Sequence, residues 1–296
     1  MKNMILIGLL IFNIASCQKK EKDTQKKIIN INQMTYQPIY TLKISVANPY
    51  ETYVNDMPLE IDYQAGSTNN ELPINNYILK SGIQEIKIVL LPDEGKKIVD
   101  RLGINYVAVK IYKYPRGLDY TGENRVELIK EINLRDLKES PLLVKTFQID
   151  IDVPYNLQGW SESVDLKKEN QEELNNELVN KFNEFRDLLK IHDVKSFLSK
   201  TEKSEKDLNE ALFLSQEEIK SDLNDLSTDI KNIIDVYPIE NYEIKFYGNG
   251  RIITLLRIDG KLKGTSVLRT DKADYNTTYN LYFHRPKPGS QLEVIR

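Results

Sequence analysis

The sequence predicts an α+β chain with more than one domain. Three observations carry this. Segments between residues 37 and 155 alternate apolar and polar side chains with period two. Beyond residue 165 apolar positions recur every three or four residues. Beyond residue 240 the period returns to two. No helical pattern separates successive strands of the first block, so its sheets are expected to be antiparallel. A length of 296 residues suits two domains better than one.

The N-terminus is set aside from the fold. Lys2 precedes the apolar run MILIGLLIF, residues 4–12. That run is far short of the roughly 20 residues a membrane-spanning helix needs. It has the layout of a secretory signal. The next residues, Ile14-Ala15-Ser16-Cys17, resemble the lipobox of bacterial lipoproteins. The resemblance implies a signal peptide over 1–16, removed before Cys17. It implies a diacylglycerol on the Cys17 thiol and a further acyl chain, such as palmitate, on the new amine. Each buried chain methylene contributes about 0.8 kcal/mol, and two or more chains anchor stably. The protein is therefore expected in the bacterial cell envelope, lipid-anchored to the membrane. Gln18, where inner-membrane lipoproteins often carry Asp, favours the outer membrane, facing the periplasm or the surface. Cys17 is the only cysteine, so no internal disulfide is available. Residues 17–36, with the mixed-charge run KKEKDTQKK, are expected to form a flexible tether.

Residues 37–155 are expected to form an antiparallel β-sandwich, immunoglobulin-like in layout. YTLKISVAN places Leu42, Ile44 and Val46 on one face. MPLEIDY places Leu59 and Ile61 together. IQEIKIVLLP places Ile83, Ile86, Ile88 and Leu90 in one strand, with a bulge after Gln84. NYVAVKIYKY sets Val107, Val109 and Ile111 on one face. RVELIKEINL and LVKTFQIDIDV complete six or seven strands, with a helical turn in DEGKKIVDRLG. A linker over 156–164 carries Trp160, expected to pack across a domain junction.

An α+β domain over 165–296 follows. Leu174, Leu178, Phe182, Phe185 and Leu189 form one stripe of a helix of about five turns. Asp193 is placed to cap a short helix over HDVKSFLSK. SEKDLNEALFL gives another short piece. Ser215 and Glu218 have the spacing of a capping box. The helix they open carries Ile219, Leu223, Leu226 and Ile230 on one face. GNG at 248–250 joins NYEIKFY and RIITLLRI as a hairpin. DGK turns into GTSVLRT, and TTYNLYFHR and LEVIR finish the sheet. FRDLLKIHDVKSFL and YNLYFHRPKPGSQLEVIR resemble the helix–break–helix and final strand pair of the NTF2-like fold. That resemblance implies a cone able to hold a ligand. It does not imply catalysis, and the Asp and His of its enzymatic members have no counterpart that can be placed here.

The formal net charge is −3, and no long basic run gives a nucleic-acid footprint. HExxH, CxxC, G-x-S-x-G and P-loop motifs are absent from the sequence. No metal or cofactor is expected. Alternation in TTYNLYFHR sets Tyr279, Leu281 and Phe283 on one face and Asn280, Tyr282 and His284 on the other. With Arg257 and Arg269 from neighbouring strands, Tyr282 and His284 would make a basic, aromatic surface for an acidic protein partner. The same alternation suits a solvated outer face. The expected function is non-enzymatic protein binding, one version being an immunity protein against a periplasmic toxin. The alternative is an envelope hydrolase or isomerase with an NTF2-like pocket.

Overall fold

The computed structural model describes residues 36–64, 66–117, 127–273 and 275–296. The segment that resembles a lipobox, with Cys17, and nearly all of the expected tether lie outside the described residues. Among the described residues the fold is mixed α+β, with four antiparallel sheets and four α-helices.

The N-terminal half holds eight strands and one short helix. The strands are β1 (Pro38–Val46), β2 (Tyr50–Val54), β3 (Met57–Asp62), β4 (Thr68–Pro73), β5 (Lys80–Leu90), β6 (Ala108–Pro115), β7 (Glu127–Asn133) and β8 (Leu143–Asn156). They form two sheets, ordered β4-β1-β6-β7 and β3-β2-β5-β8. Leu42, Ile44, Val109 and Ile111 of the first sheet share one core with Tyr50, Ile86, Ile88 and Leu90 of the second. The helix α1 (Arg101–Tyr106) starts later than the expected turn, because Asp100 caps it by accepting from Gly103 N at 2.9 Å.

Two strands had no expectation. In β2, Tyr50, Thr52 and Val54 are all fully buried and Tyr53 is 8 % exposed, so both faces are covered and no alternation survives. It turns into β3 through Asn55 and Asp56, whose φ values of 51° and 61° match a primed hairpin turn. In β4 the segment TNNELP has no apolar face, and pairing with β1 alone makes it a strand. In β5 the buried face is Gln84, Ile86, Ile88 and Leu90, while Ile83 is 61 % exposed. The irregularity falls between Lys80 and Gly82, not after Gln84. Gln84 tolerates burial because its amide nitrogen donates to the carbonyls of Lys80 and Gly82 and its oxygen accepts from Asn55 Nδ2 at 2.7 Å.

The C-terminal half opens with α2 (Gln171–Lys190), α3 (Val194–Ala211) and α4 (Gln216–Lys231). The α2 stripe from Leu174 to Leu189 is buried as expected. Asp193 does cap α3, and Ser215 with Glu218 does close a capping box on α4. HDVKSFLSK and SEKDLNEALFL are not separate pieces. They are one helix, and Thr201 and Ser204 are buried in it with Phe197 and Ala211.

Seven short strands follow: β9 (Asp235–Val236), β10 (Tyr242–Tyr247), β11 (Ile252–Arg257), β12 (Arg269–Asp271), β13 (Asn276–Thr278), β14 (Phe283–His284) and β15 (Glu293–Val294). They form two sheets, β10-β11-β14-β15 and β13-β12-β9. TTYNLYFHR is thus not one strand. Its ends lie in different sheets, and the crossing is fixed by Tyr279 N donating to Leu268 O at 2.9 Å and Thr254 Oγ1 donating to Leu281 O at 2.7 Å. Tyr279, Leu281 and Phe283 do face one core. Phe283 meets Phe182 at a ring separation of 5.4 Å, and Tyr279 meets Phe197 at 5.8 Å.

A third core joins the halves. Tyr53, Met57 and Val89 pack with Trp160, Tyr247, Ile252, Leu256 and Ile295. Gly248 sits against the indole with φ of +56°, and a Cβ there would come within 2.9 Å of Trp160. Polar contacts bridge the same seam: Asn249 N donates to Asp56 Oδ2 at 3.0 Å, and the buried Asn75 donates to Ala211 O at 3.1 Å. Leu157, Trp160 and Ser163 of the linker are buried. Removing a large buried ring costs about 3–5 kcal/mol. Trp160→Ala should therefore lower the free energy of unfolding by about 3 kcal/mol or more. Urea titrations of both proteins check this.

Candidate functional site

A cavity of about 790 Å³ lies where the halves meet. Such a volume falls within the range of small-molecule and cofactor sites. Its floor and walls come from five places, one of them Asn76 and Tyr77 just before β5. Residues 58–64, at β3 and just beyond, supply one side. Residues on α3 and α4 supply the second. Residues 261–265 close the third, and residues 278–282 close the fourth together with Arg296.

The α4 stripe explains why space remains. Ile219, Leu223 and Leu226 line the cavity, and Leu223 stays 37 % exposed. Only Ile230 of that stripe is fully buried. Leu208, Leu212, Leu256 and Leu281 add further apolar wall.

The polar groups are few and unevenly satisfied. The Arg296 side chain is 3 % exposed. Its Nε donates to Asn76 O at 2.9 Å and its Nη1 to Ile295 O at 2.9 Å. Asp207 Oδ2 lies 3.7 Å from Nη1, and the guanidinium stacks 5.1 Å from the Trp160 ring. Among the described residues Nη2 has no partner, and neither has Asn76 Oδ1. Burial pushes the Arg296 pKa down, against the pull of Asp207. Burial also raises the Glu205 carboxyl, and Asp222 raises it further. Asp222 is raised by burial and then by Asp225 and Glu218.

The four residues expected to form a partner surface do not come together. Arg257 and Arg269 are half-buried neighbours. Arg257 pairs with Asp259, and Arg269 stacks 4.3 Å over the Tyr237 ring. Burial, then the charge of Arg257, lowers the Arg269 pKa. Tyr282 packs against Tyr247 at a ring separation of 6.0 Å and lines the cavity. His284 is 1 % exposed. The face carrying Tyr282 and His284 is covered by the chain itself, because the third core and the linker pack on it. An exposed surface including His284 is ruled out by that burial.

His284 has its own network. Ser163 Oγ lies 2.6 Å from Nδ1, and Glu293 Oε1 lies 3.1 Å from Nε2. Burial works to raise the Glu293 pKa, but Lys203 at 2.5 Å and His284 outweigh it and hold the group below its usual range. A carboxylate only accepts, so Nε2–H donates to Glu293 and Nδ1 accepts from the Ser163 hydroxyl. The residue types match a Ser-His-Glu triad. The placement does not serve one: Ser163 is 7 % exposed, Glu293 is on the surface side, and neither Ser163 nor His284 lines the cavity. The network fixes the linker to β14.

Arg285 makes a second clamp. Its Nε and Nη2 donate to the two Glu169 oxygens at 2.8 and 3.0 Å, and Nη2 also reaches Glu177 Oε2 at 2.7 Å. It also donates to the Ser290 carbonyl. This ties the PKPGSQ turn to the start of α2. Among the described residues, no helix is long and apolar enough to cross a membrane. No family model, no curated protein and no solved structure matches this chain.

Burial, helped by Lys203, lowers the His284 pKa from 6.5 to about 4. The unfolded chain then takes up a proton as pH falls through 6.5, while the folded chain resists until about 4. Stability held above the higher value is lost between the two. From pH 7 to pH 5 the wild-type protein should lose about 2 kcal/mol that His284→Asn does not lose. The raised carboxyls Glu205 and Asp222 act with opposite sign in both proteins, so the difference isolates His284. Urea unfolding at the two pH values measures it.

Proposed function

We propose that this is a lipid-anchored bacterial envelope protein that binds a ligand without chemistry, and that the cavity between its halves is the binding site. The observation that carries this reading is the cavity itself. It is lined by an apolar helix stripe left open, beside a buried guanidinium nitrogen and an amide oxygen that no described residue satisfies. Natural cores close such space or fill it with side chains.

The lipobox supports the anchor and the envelope location. The shared core of the first two sheets supports the sandwich reading of the N-terminal half. Three helices beside two antiparallel sheets, with a cavity at their edge, support the cone-like reading of the C-terminal half. The protein-binding expectation moves from the strand face, which is covered, to the cavity.

Two measurements test the proposal. Mass spectrometry of the protein from membranes should find an acylated Cys17 as the first residue. An intact Met1 or a free Cys17 thiol overturns the anchor. An uncharged naphthylamine dye should bind the purified chain at one site with a rise in fluorescence. Leu223→Trp, at a partly exposed wall position, should cut dye affinity by at least about tenfold by occupying apolar volume. Unchanged dye binding in that variant places the site elsewhere.

A further inference from the structure

We infer that the ligand of this cavity is a short apolar peptide segment bearing a positive charge, an inference that rests on the cavity being the binding site. Charge gives the first argument. Six carboxylates line the cavity, from Glu60, Asp62, Glu205, Asp222, Asp225 and Asp229, against three cations, Lys261, Lys263 and Arg296. Asp229 is matched by Lys272 at 2.8 Å. Glu205, Asp222 and Asp225 have no ion pair with any described residue. They lie on α3 and α4, and their mutual repulsion adds to the burial that makes Glu205 and Asp222 hold their protons more tightly. A cation among them removes that repulsion. A bare metal ion is not the match, because among the described residues no group of three or more ligating side chains is placed to hold one.

Hydrogen bonding gives the second argument, and it is independent of the first. Arg296 Nη2 is an unmatched donor and Asn76 Oδ1 an unmatched acceptor. The two residues are already joined through the Arg296 Nε bond to Asn76 O at 2.9 Å. A peptide group carries one acceptor and one donor on a rigid plane. It satisfies both atoms without adding charge. Buried polar atoms left unpaired are costly, so the site gains from such a partner. The walls from Leu208, Leu212, Leu223, Leu226, Leu256 and Leu281 suit aliphatic side chains. A fatty acid matches the walls but brings a negative charge to a site that already carries an excess of it.

Three peptides with one apolar body separate the possibilities. Leucyl-leucyl-leucine amide has a free amino terminus and carries one positive charge. Its N-acetyl form is neutral, and N-acetyl-leucyl-leucyl-leucine carries one negative charge. Calorimetry on the chain from residue 18, which contains every described residue, should rank affinity in that order. The first should exceed the last by at least about tenfold, with the gap shrinking as salt rises. Asp222→Asn, at an exposed position, should narrow the gap without abolishing binding. Arg296→Lys keeps a cation but loses Nη2, and should weaken all three peptides alike. Stronger binding of the negative peptide overturns the inference, as does an undiminished gap between the first and last peptides in Asp222→Asn. Binding of the naphthylamine dye with no binding of any peptide overturns the inference and leaves the cavity reading standing. Failure of dye and peptides together overturns both.

Discussion

The burial of one guanidinium organises this molecule. Arg296 is held by a carbonyl of the N-terminal half, a carboxylate on α3 and the indole of the linker. Each of those partners belongs to a different part of the chain. A charge taken out of water must be compensated where it lies. The compensation here draws β15, α3, the linker and the turn before β5 to one point. That point lies at the wall of the cavity, which Arg296 and Asn76 both line.

The same convergence explains the fate of the polar face of residues 280–284. In an isolated C-terminal sheet, Tyr282 and His284 would face water. Here Tyr282 N donates to Arg296 O at 2.8 Å, and Ile295 N returns a bond of 2.8 Å to Tyr282 O. The pairing pulls the terminal residues onto the face, and the third core covers what remains. His284 is then kept neutral by burial and given two partners, as a buried imidazole requires. A side chain that looked suited to an acidic partner is spent on holding the linker.

Much of the fold was legible in the sequence, and the reasons are local. β1 from Leu42 to Val46, β6 and α2 each bury one face more deeply than the other, so their periods survive in the residue order. Capping at Asp193 and Ser215 is a property of four consecutive residues. β2 was illegible because both of its faces are buried, and β4 because neither carries an apolar row. The division of TTYNLYFHR between two sheets was illegible because it depends on Leu268 and Thr254 accepting and donating across the fold. The cavity was illegible for the same reason. Ile219, Leu223 and Leu226 have the spacing of any core-facing helix, and only the tertiary arrangement shows that nothing fills the space before them. Glu205 and Asp222 are seventeen positions apart in the sequence and on different helices, so their mutual repulsion leaves no pattern in the residue order.

That repulsion bears on why α3 and α4 are built as they are. A helix pair gains most when the facing stripes are apolar throughout. Thr201, Ser204 and Glu205 interrupt the α3 face, and Asp222 and Asp225 stand beside the α4 stripe. Acidic residues cost least in the first turn of a helix, where Glu217 and Glu218 already sit. Asp222 and Asp225 lie beyond that turn and receive no such benefit. Stability alone would favour a neutral residue at position 222, where burial and then the neighbouring carboxylates disfavour the charged form. The placement of Asp222 against an open apolar wall is therefore a cost to the fold, and a cationic apolar ligand is the kind of molecule whose binding would offset it.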